Sequence, residues 1–402
     1  MKEYLYQFIP NRFLYLTKIK KISYKEKKLK TDYVINLINE FMIKFFFSND
    51  LLSLKVNLWS IILRKKYGMN YNYYIDYLID NGFIKMVSNY YVSKKTKTYQ
   101  LNYFDVGKLM RVKIYDKILI KKFNKNYLER NITEYDNNPI PLKIKKKLIS
   151  DIYRVDIDYD GALSYLKKLN TDNLIDDNKY YKNFLSINGI KDNHIFFKFD
   201  SYGRFHSNFT ILKKEIRNKF LKIDGGDVCE IDIKNSQPFF LSLMIKKHMN
   251  DWNKFDDVNR YFFTANNGII YDDIIENVDL VKNRNDAKLL VYKVLFGKNG
   301  DFIKSSKIFG KIYPNVLKFI QKYKIDKGDY KSMSHELQRI ESDFIFNNII
   351  NKLMNEYPQI KIITIHDSII FNCKYYNIVN DIFNNEFNLL KNSTESLVIS
   401  TK

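Results

Sequence analysis

The sequence predicts an α+β protein with antiparallel strands. Three observations lead to this prediction. Apolar residues recur every three or four positions over much of residues 32–80, which is the spacing of amphipathic helices. Short alternating or apolar runs at residues 83–101, 228–233 and 360–371 are typical of strands. The 402 residues, 45% of them apolar, suffice for two or three domains with buried cores.

The net charge points to a polyanionic partner. The chain has 67 Lys and Arg residues against 45 Asp and Glu, a formal charge of +22. Such a charge attracts nucleic acids, although charge alone does not separate them from an anionic membrane surface. A coding sequence rich in A and T also contributes to the excess of Lys, Asn, Ile and Tyr. The charge is therefore supporting evidence for a nucleic-acid partner and no more than that.

Cysteine content and apolar runs predict a cytoplasmic location, in a bacterial or host cell. Cys229 and Cys373 cannot form a disulfide framework, and with five histidines they show no zinc-ligand spacing, so a reducing interior is expected. The longest apolar runs fall far short of the ~18 residues that a membrane span needs. The basic residues 1–30 lack the apolar segment of a secretory signal. We expect no membrane partner.

The first part of the chain is predicted to be a basic arm followed by helices. Residues 1–30 are rich in Tyr and Lys without a clean period, so they are interpreted as an arm or a solvated surface segment. Two helices are expected within residues 32–66. A third is expected over Tyr71–Asp80, and Gly82 ends it.

A basic hairpin is predicted to follow these helices. Its strands are expected at residues 83–87 and 98–101. Helices followed by such a hairpin resemble winged helix-turn-helix domains, which predicts a DNA-binding domain over residues 31–105. The third helix would enter a major groove, while Lys94, Lys95 and Lys97 would contact phosphates. The alternative is an ordinary helical domain with a basic hairpin. Residues 106–195 are predicted to be a helical linker or thumb-like region.

Two aspartates stand at the ends of predicted strands in the second half of the chain. Residues 228–233 are typical of a buried strand, and Asp232 lies at its end. Residues 360–371 are typical of two strands that meet at a polar tip containing His366 and Asp367. Brought together across a sheet, two such acids could hold two Mg²⁺ ions that bind triphosphate oxygens. Taken singly, each aspartate is equally typical of a turn or a cap.

A helix with a mixed cationic and aromatic face lies between the two aspartates. Arg284, Lys288, Tyr292 and Phe296 follow one another at intervals of four, so they share one face. The two cations could bind a triphosphate, and the two aromatic rings could stack on a base and sugar. The alternative is a basic amphipathic helix with an aromatic stripe in the core.

The order and spacing of these motifs resemble the palm and fingers of family A DNA polymerases and of the related single-subunit phage and mitochondrial RNA polymerases. Asp232 and Asp367 match the two metal-binding aspartates. Arg284, Lys288 and Phe296 match the fingers-helix pattern, in which Phe296 replaces the usual Tyr.

This resemblance implies a right-hand polymerase over residues 196–402, with an antiparallel palm sheet, a helical thumb, and fingers at approximately 250–330. Asp232, Asp367 and Lys288 would be catalytic, with two Mg²⁺ ions as cofactors. The implied partners are nucleoside triphosphates and a DNA template with a primer or an RNA product. Such an enzyme would belong to a phage or mobile element.

Further site residues follow from the same resemblance. Arg204 lies in a segment similar to the Thr-Gly-Arg element and would contact template or primer. Gln338 and Asp343 resemble the Gln and Asp of a segment whose Gln contacts the primer-template. His366 would orient the primer terminus or the hairpin. Glu230 shares a strand face with Asp232 and could be a third carboxylate of the site, although a surface salt bridge is the favoured expectation for it.

The preferred sugar depends on Gln237, five residues after the first aspartate. Family A DNA polymerases have a Glu there that excludes ribose, whereas the RNA enzymes have Gly. The bulky Gln237, together with Phe296, favours deoxynucleotides, whereas Ser368 is closer to the RNA enzymes. A DNA polymerase is therefore predicted, with an RNA polymerase or primase as the alternative. A non-catalytic DNA-binding initiator or regulator, and template-independent nucleotide addition, are the other hypotheses.

Overall fold

The computed structural model describes residues 4–47, 55–89, 97–102, 109–123 and 139–395. The chain forms two compact units, the first from residues 1–133 and 167–185 and the second from residues 134–166 and 186–402. Helices and small antiparallel sheets occur together, which confirms the α+β class. No helix in the described part of the chain is long and apolar enough to cross a membrane.

The first unit combines helices with two-stranded and three-stranded antiparallel sheets. Its strands are β1 (Leu5–Pro10), β2 (Lys21–Tyr24), β3 (Lys27–Lys30), β4 (Lys55–Leu58), β5 (Ile84–Ser88), β6 (Lys97–Leu101) and β7 (Leu109–Ile114). Its helices include α1 (Thr31–Phe46), α2 (Ser60–Tyr67) and α3 (Tyr71–Asp80), and Asn11–Lys18 is a 3-10 helix. Strand β1 pairs with β7, β2 with β3, and β4-β6-β5 form one sheet.

The segment predicted as a basic arm is instead folded into this unit. Leu5, Ile9 and Leu16 are buried in the same apolar core as Val34 and Ile38 of α1. These apolar side chains stabilise the unit by leaving water, and the lysines between them stay on the surface. The charge of residues 1–30 is thus displayed on folded strands.

Strand β4 occupies part of the region in which a second helix was expected. Val56 and Leu58 are buried while their neighbours are exposed, which is the two-residue period of a strand. A helix begins only at Ser60. The mistake arose because short apolar runs fit helices and strands about equally well.

Strands β5 and β6 confirm the hairpin strands predicted at residues 83–87 and 98–101. Of the three lysines predicted to contact phosphates, Lys94 and Lys95 lie outside the described residues. Lys97 begins β6, where it pairs with Leu58 of β4 and is half-buried.

The second unit is built on a five-stranded antiparallel sheet in the order β13-β14-β12-β11-β8. Its strands are β8 (Val155–Ile157), β9 (Phe197–Phe199), β10 (Phe205–Ser207), β11 (Leu221–Ile223), β12 (Gly226–Asp232), β13 (Ile362–Ile365) and β14 (Ser368–Asn372). Strands β9 and β10 form a separate hairpin.

The helices from residue 142 onward precede β12, lie between β12 and β13, or follow β14 in sequence. They begin with α4 (Leu142–Ile152), α5 (Tyr159–Thr171) and α6 (Asp177–Lys191), of which α5 and α6 cross the division between the units. The others are α7 (Asn208–Ile211), α8 (Lys214–Phe220), α9 (Ser236–His248), α10 (Asp256–Asn266), α11 (Ile270–Asn277), α12 (Arg284–Phe296), α13 (Ile303–Ile312), α14 (Pro314–Asp326), α15 (Ser332–Asp343), α16 (Asn351–Glu356) and α17 (Tyr376–Glu395). A π-helical segment, Phe344–Ile350, joins α15 to α16.

The two cysteines form a disulfide across the central strands of this sheet. Cys229 lies on β12, Cys373 directly follows β14, and their Cα atoms are 4.9 Å apart. No local pattern indicates this pairing, because 144 positions separate the two residues. Such a disulfide is unusual in the reducing interior that the cysteine content led us to expect.

Candidate active site

Two carboxylates meet at one end of the five-stranded sheet. Asp232 is the last residue of β12 and pairs with Ser368, the first residue of β14. Asp367 directly precedes Ser368 in the turn between β13 and β14. Two aspartates that are far apart in sequence therefore lie at neighbouring strand ends. The side chain of Asp232 is 53% exposed, and Lys214 lies 3.5 Å from it.

The carboxyl group of Asp367 is held in an unfavourable electrostatic environment. Burial, followed by the negative charges of Glu341 and Asp232, raises its pKa to about 6. Burial disfavours the charged form of an acid, and nearby like charges have the same effect. A cation bound between these carboxylates would relieve the repulsion.

Glu341 is a buried carboxylate that the sequence analysis did not single out. Its side chain is 2% exposed, and it accepts hydrogen bonds from Arg204 Nη2 at 2.6 Å and Ser236 Oγ at 2.8 Å. The amide of Gln237 donates to the same carboxylate. Glu341 thereby joins three elements around Asp367: the β9-β10 hairpin, the start of α9, and α15.

A sequence signal for Glu341 does exist. On α15, Met333, Leu337, Glu341 and Phe344 recur at intervals of three and four, and all four are buried. A lone carboxylate on such an apolar stripe is exceptional, because buried acids need partners. The neighbouring residues that were predicted for the site are Gln338, which is half-buried, and Asp343, which is exposed and accepts a hydrogen bond from Asn347.

The turn of the β9-β10 hairpin directs Arg204 toward Glu341. Asp200 Oδ1 accepts hydrogen bonds from the backbone N–H groups of Tyr202 and Arg204, each at 2.9 Å. Gly203 adopts φ +93, and a Cβ there would lie 3.1 Å from Ser342. Glycine is therefore favoured both by the backbone conformation and by the close approach of α15. Arg204 retains 18% exposure of its side chain.

His366 is an uncharged imidazole beside the acids. Burial, followed by the positive charges of Arg204 and His206, lowers its pKa to about 4. Its ring lies 5.7 Å from that of His206, which is hydrogen-bonded to Asp200. His366 itself adopts φ +56. Its Nδ1 is buried and has no hydrogen-bond partner among the described residues.

Helix α12 brings Arg284 to the loop after Asp232. The helix is capped by Asn283, whose side chain accepts a hydrogen bond from the N–H of Asp286 at 3.0 Å. The Arg284 guanidinium donates to Asn235 Oδ1 at 3.2 Å and forms an ion pair with Asp272 at 3.0 Å. The predicted triphosphate-binding arginine thus lies close to the end of β12, half exposed and paired with a carboxylate.

The aromatic residues of the same helix face lie near the carboxylates. Burial raises the pKa of Tyr292, and the charges of Asp367 and Glu341 raise it further. Tyr292 is hydrogen-bonded to Tyr271 and packs against Phe296 at 5.3 Å between ring centroids. Lys288 is exposed, with its Nζ 5.4 Å from the Tyr292 ring. The four residues of the predicted face therefore lie on one helix, with Arg284 hydrogen-bonded to Asn235 and Tyr292 within the electrostatic influence of Asp367 and Glu341.

Glu230 is buried, so the expectation of a surface salt bridge for it is wrong. Its side chain is 7% exposed and accepts a hydrogen bond from Ser368 Oγ at 2.9 Å. The equally buried Arg217 lies 3.5 Å away and Lys214 3.7 Å away. These cations balance Glu230, and Lys214 also lies 3.5 Å from Asp232, whose side chain is half exposed.

The donor set fits Mg²⁺ better than a metal that prefers histidine or cysteine. Among the residues that the structure describes, no group of three or more His, Cys, Asp or Glu side chains could hold a metal ion. Mg²⁺ needs fewer protein ligands, because it keeps several waters and is bound by one or two carboxylates together with substrate phosphates. Asp232 and Asp367 are the residues that would hold it.

In comparisons with known proteins, no family model matches the chain and no curated protein is significantly similar to it. The residues of the site themselves are therefore the basis for a functional proposal.

Proposed function

We propose that the chain is a template-directed nucleotidyltransferase of a phage or mobile element, which extends a 3′-hydroxyl with nucleoside triphosphates. One observation carries the proposal: Asp232 pairs with Ser368, so that Asp232 and Asp367 lie together at the end of an antiparallel sheet. Paired carboxylates at such a position suit the binding of Mg²⁺ and triphosphate.

The surrounding elements support a right-hand polymerase. In this proposal the five-stranded sheet is the palm, and helices α10 to α14 are the fingers. Helix α12 carries Arg284 to within hydrogen-bond distance of Asn235, three residues after Asp232. A cationic helix next to the acids is the arrangement that a triphosphate between fingers and palm requires.

The first unit supports a winged helix-turn-helix domain. Helix α1, strand β4, helices α2 and α3, and strands β5 and β6 follow one another in this order, and the strands align as β4-β6-β5. This succession of helices and a three-stranded sheet is compatible with such a domain. A DNA partner for the unit follows from the proposal and from the net charge of +22.

The residues of the site have distinct roles in this proposal. Two bound Mg²⁺ ions would supply charge stabilisation for an in-line phosphoryl displacement. Arg284 would exchange Asp272 for triphosphate oxygens, and Lys288 would add a second cation. Tyr292 and Phe296 would contact the base and sugar. The neutral His366 could accept or donate one hydrogen bond at the primer terminus.

A DNA polymerase is the preferred form of the proposal. The side chain of Gln237 is buried and tied to Glu341, so its bulk is fixed near Asp232. A fixed bulky group favours a sugar without a 2′-hydroxyl. A single-subunit RNA polymerase or primase is the alternative, favoured by Ser368 after the second aspartate.

Primer extension tests the proposal. A labelled primer-template is incubated with Mg²⁺ and either dNTPs or rNTPs, with and without template, using wild type and Asp367→Asn. The matched control is Asp326→Asn, which neutralises an exposed aspartate at the end of α14. Templated extension that is lost only in Asp367→Asn supports the proposal, and the preferred nucleotide decides between its two forms.

Two outcomes contradict the proposal. A homopolymer made without template would replace it by template-independent addition. DNA binding without incorporation of any nucleotide would replace it by a non-catalytic initiator or regulator.

A further inference from the structure

We propose that the β2-β3 hairpin, and not helix α3, is the surface of the first unit that contacts the phosphate backbone of duplex DNA. The hairpin comprises β2, β3 and the turn Lys25-Glu26 between them. This proposal concerns binding and is tested without nucleotides, so it does not depend on polymerase activity.

One face of α3 is covered by the hairpin. The Tyr24 ring packs edge-on against Tyr77 at 5.5 Å, and the Tyr24 hydroxyl donates to Asp80. Lys25 forms an ion pair with Asp80 at 3.1 Å. Lys27 lies 5.9 Å from the Tyr73 ring. Since residues three and four apart share a helix face, the covered residues form one continuous stripe.

The rest of α3 is unsuited to a DNA groove. The helix, Tyr71–Asp80, contains no Lys or Arg, and its exposed or half-buried polar residues are Asn72, Asp76 and Asp80. Insertion of this helix would bring carboxylates close to phosphates, which like-charge repulsion disfavours. The expectation that α3 enters a major groove therefore finds no support in its side chains.

The outer face of the hairpin has the opposite charge. Ile22 and Leu29 pair across the hairpin and are buried, so the alternate residues point away from the core. Those residues include Lys21 and Lys28, which are exposed and form no ion pair with any described residue. Their ammonium groups are therefore available to an anionic partner.

Duplex DNA fits this face better than a single strand does. Platforms for single strands combine cations with aromatic rings on which bases stack. Here the hairpin's tyrosine, Tyr24, faces α3, and the outward residues Lys21, Ser23 and Lys28 offer cations and a hydroxyl. Such groups contact phosphates without reading bases, which is how protein side chains position a duplex.

The test compares two double variants with the same net charge. Lys21→Ala/Lys28→Ala removes the outward lysines of the hairpin. Lys65→Ala/Lys85→Ala removes exposed lysines of α2 and β5 in the same unit. Affinity for a labelled 25-base-pair duplex is measured by fluorescence anisotropy in the full chain, without nucleotides, from about 0.05 to 0.3 M salt.

The hairpin variant should bind roughly tenfold or more weakly at 0.1 M salt, and its slope of log affinity against log salt should be shallower by about 2, because two phosphate contacts are lost. The control variant should bind as wild type does. Lys21→Arg/Lys28→Arg should retain affinity, which excludes an effect of misfolding.

Three outcomes would overturn the proposal. The first is an equal loss of duplex affinity in both alanine variants. The second is a single strand that binds through the hairpin more tightly than the duplex does. The third is polyglutamate that binds more tightly than DNA does. A chain that binds duplex through the hairpin but incorporates no nucleotide would leave this proposal intact and contradict only the proposed function.

Discussion

Asp232 lies directly opposite Ser368 in the antiparallel pairing of β12 and β14. Because Asp367 precedes Ser368, this register sets the two aspartates side by side. A one-residue slip would move the side chain opposite Asp232 to the other face of the sheet. The register is stabilised by Ile369, Ile370 and Phe371, which are fully buried.

The metal-free protein should become more stable when Asp367 is neutralised. Its folded pKa of about 6 exceeds the ordinary value for Asp, so the folded state loses stability as pH rises from about 4 to 6. At pH 8 in EDTA, Asp367→Asn should therefore raise the free energy of unfolding by up to about 3 kcal/mol, and Tm should rise with it. Near pH 4 the two proteins should melt alike.

Added Mg²⁺ should raise the Tm of wild type and leave the Tm of the variant unchanged. A variant that melts below wild type at pH 8 would refute this expectation.

Arg204 and Glu341 should be strongly coupled. Arg204→Met leaves Glu341 as a buried carboxylate without its cation, which costs about 3 kcal/mol or more. Glu341→Gln should cost less, because the amide oxygen can still accept from Arg204, whose side chain keeps some contact with water. Urea unfolding of both single variants and of Arg204→Met/Glu341→Gln gives the coupling. The double variant should lose clearly less than the sum of the single losses, and additive losses would show that the pair does not interact.

Arg284 should bind nucleotide in competition with Asp272. Arg284→Ala removes a charged hydrogen-bond donor and should raise KM for the nucleoside triphosphate roughly tenfold or more. Asp272→Asn releases the same guanidinium and should lower KM or leave it unchanged. Steady-state incorporation assays measure both. If both variants raise KM equally, the ion pair itself is what positions the helix.

Lys324 should give the stability of the protein a distinct pH dependence. Its Nζ donates to the carbonyls of Val294 and Gly297 at the end of α12, and burial lowers its pKa to about 8. Between pH 8 and 10.5 the unfolded chain therefore binds more protons than the folded protein does, so the free energy of unfolding rises with pH over that window. This contribution to stability is lost as pH falls through 8. The free energy of unfolding of wild type relative to Lys324→Met should rise by about 3 kcal/mol from pH 8 to 10.5. A constant difference would indicate an ordinary lysine.

Local patterns predicted the central strands and the helix between them. Residues 228–233 became β12 because apolar and polar side chains alternate there, and residues 360–371 became β13 and β14 because two apolar runs flank a polar tip. The four-residue spacing from Arg284 to Phe296 became α12 for the same kind of reason. These periodicities are local, so the sequence alone contains them.

Tertiary contacts decided what the sequence did not predict. Glu341 is important through its contacts with Arg204, Ser236 and Gln237, which lie more than a hundred positions away. The Cys229–Cys373 disulfide likewise depends on the pairing of β12 with β14. The covering of α3 by the β2-β3 hairpin is also a nonlocal packing effect, which helical periodicity cannot reveal.

The most direct test of the central claim is nucleotide incorporation by Asp232→Asn, Asp367→Asn and the double variant, with DNA affinity measured alongside. If the two aspartates hold the same Mg²⁺ ions, each single variant should lose at least about 1000-fold in rate, and the double variant should lose little more. DNA affinity should stay within about twofold of wild type. Near-wild-type incorporation by either single variant would contradict the claim that the pair is the catalytic centre.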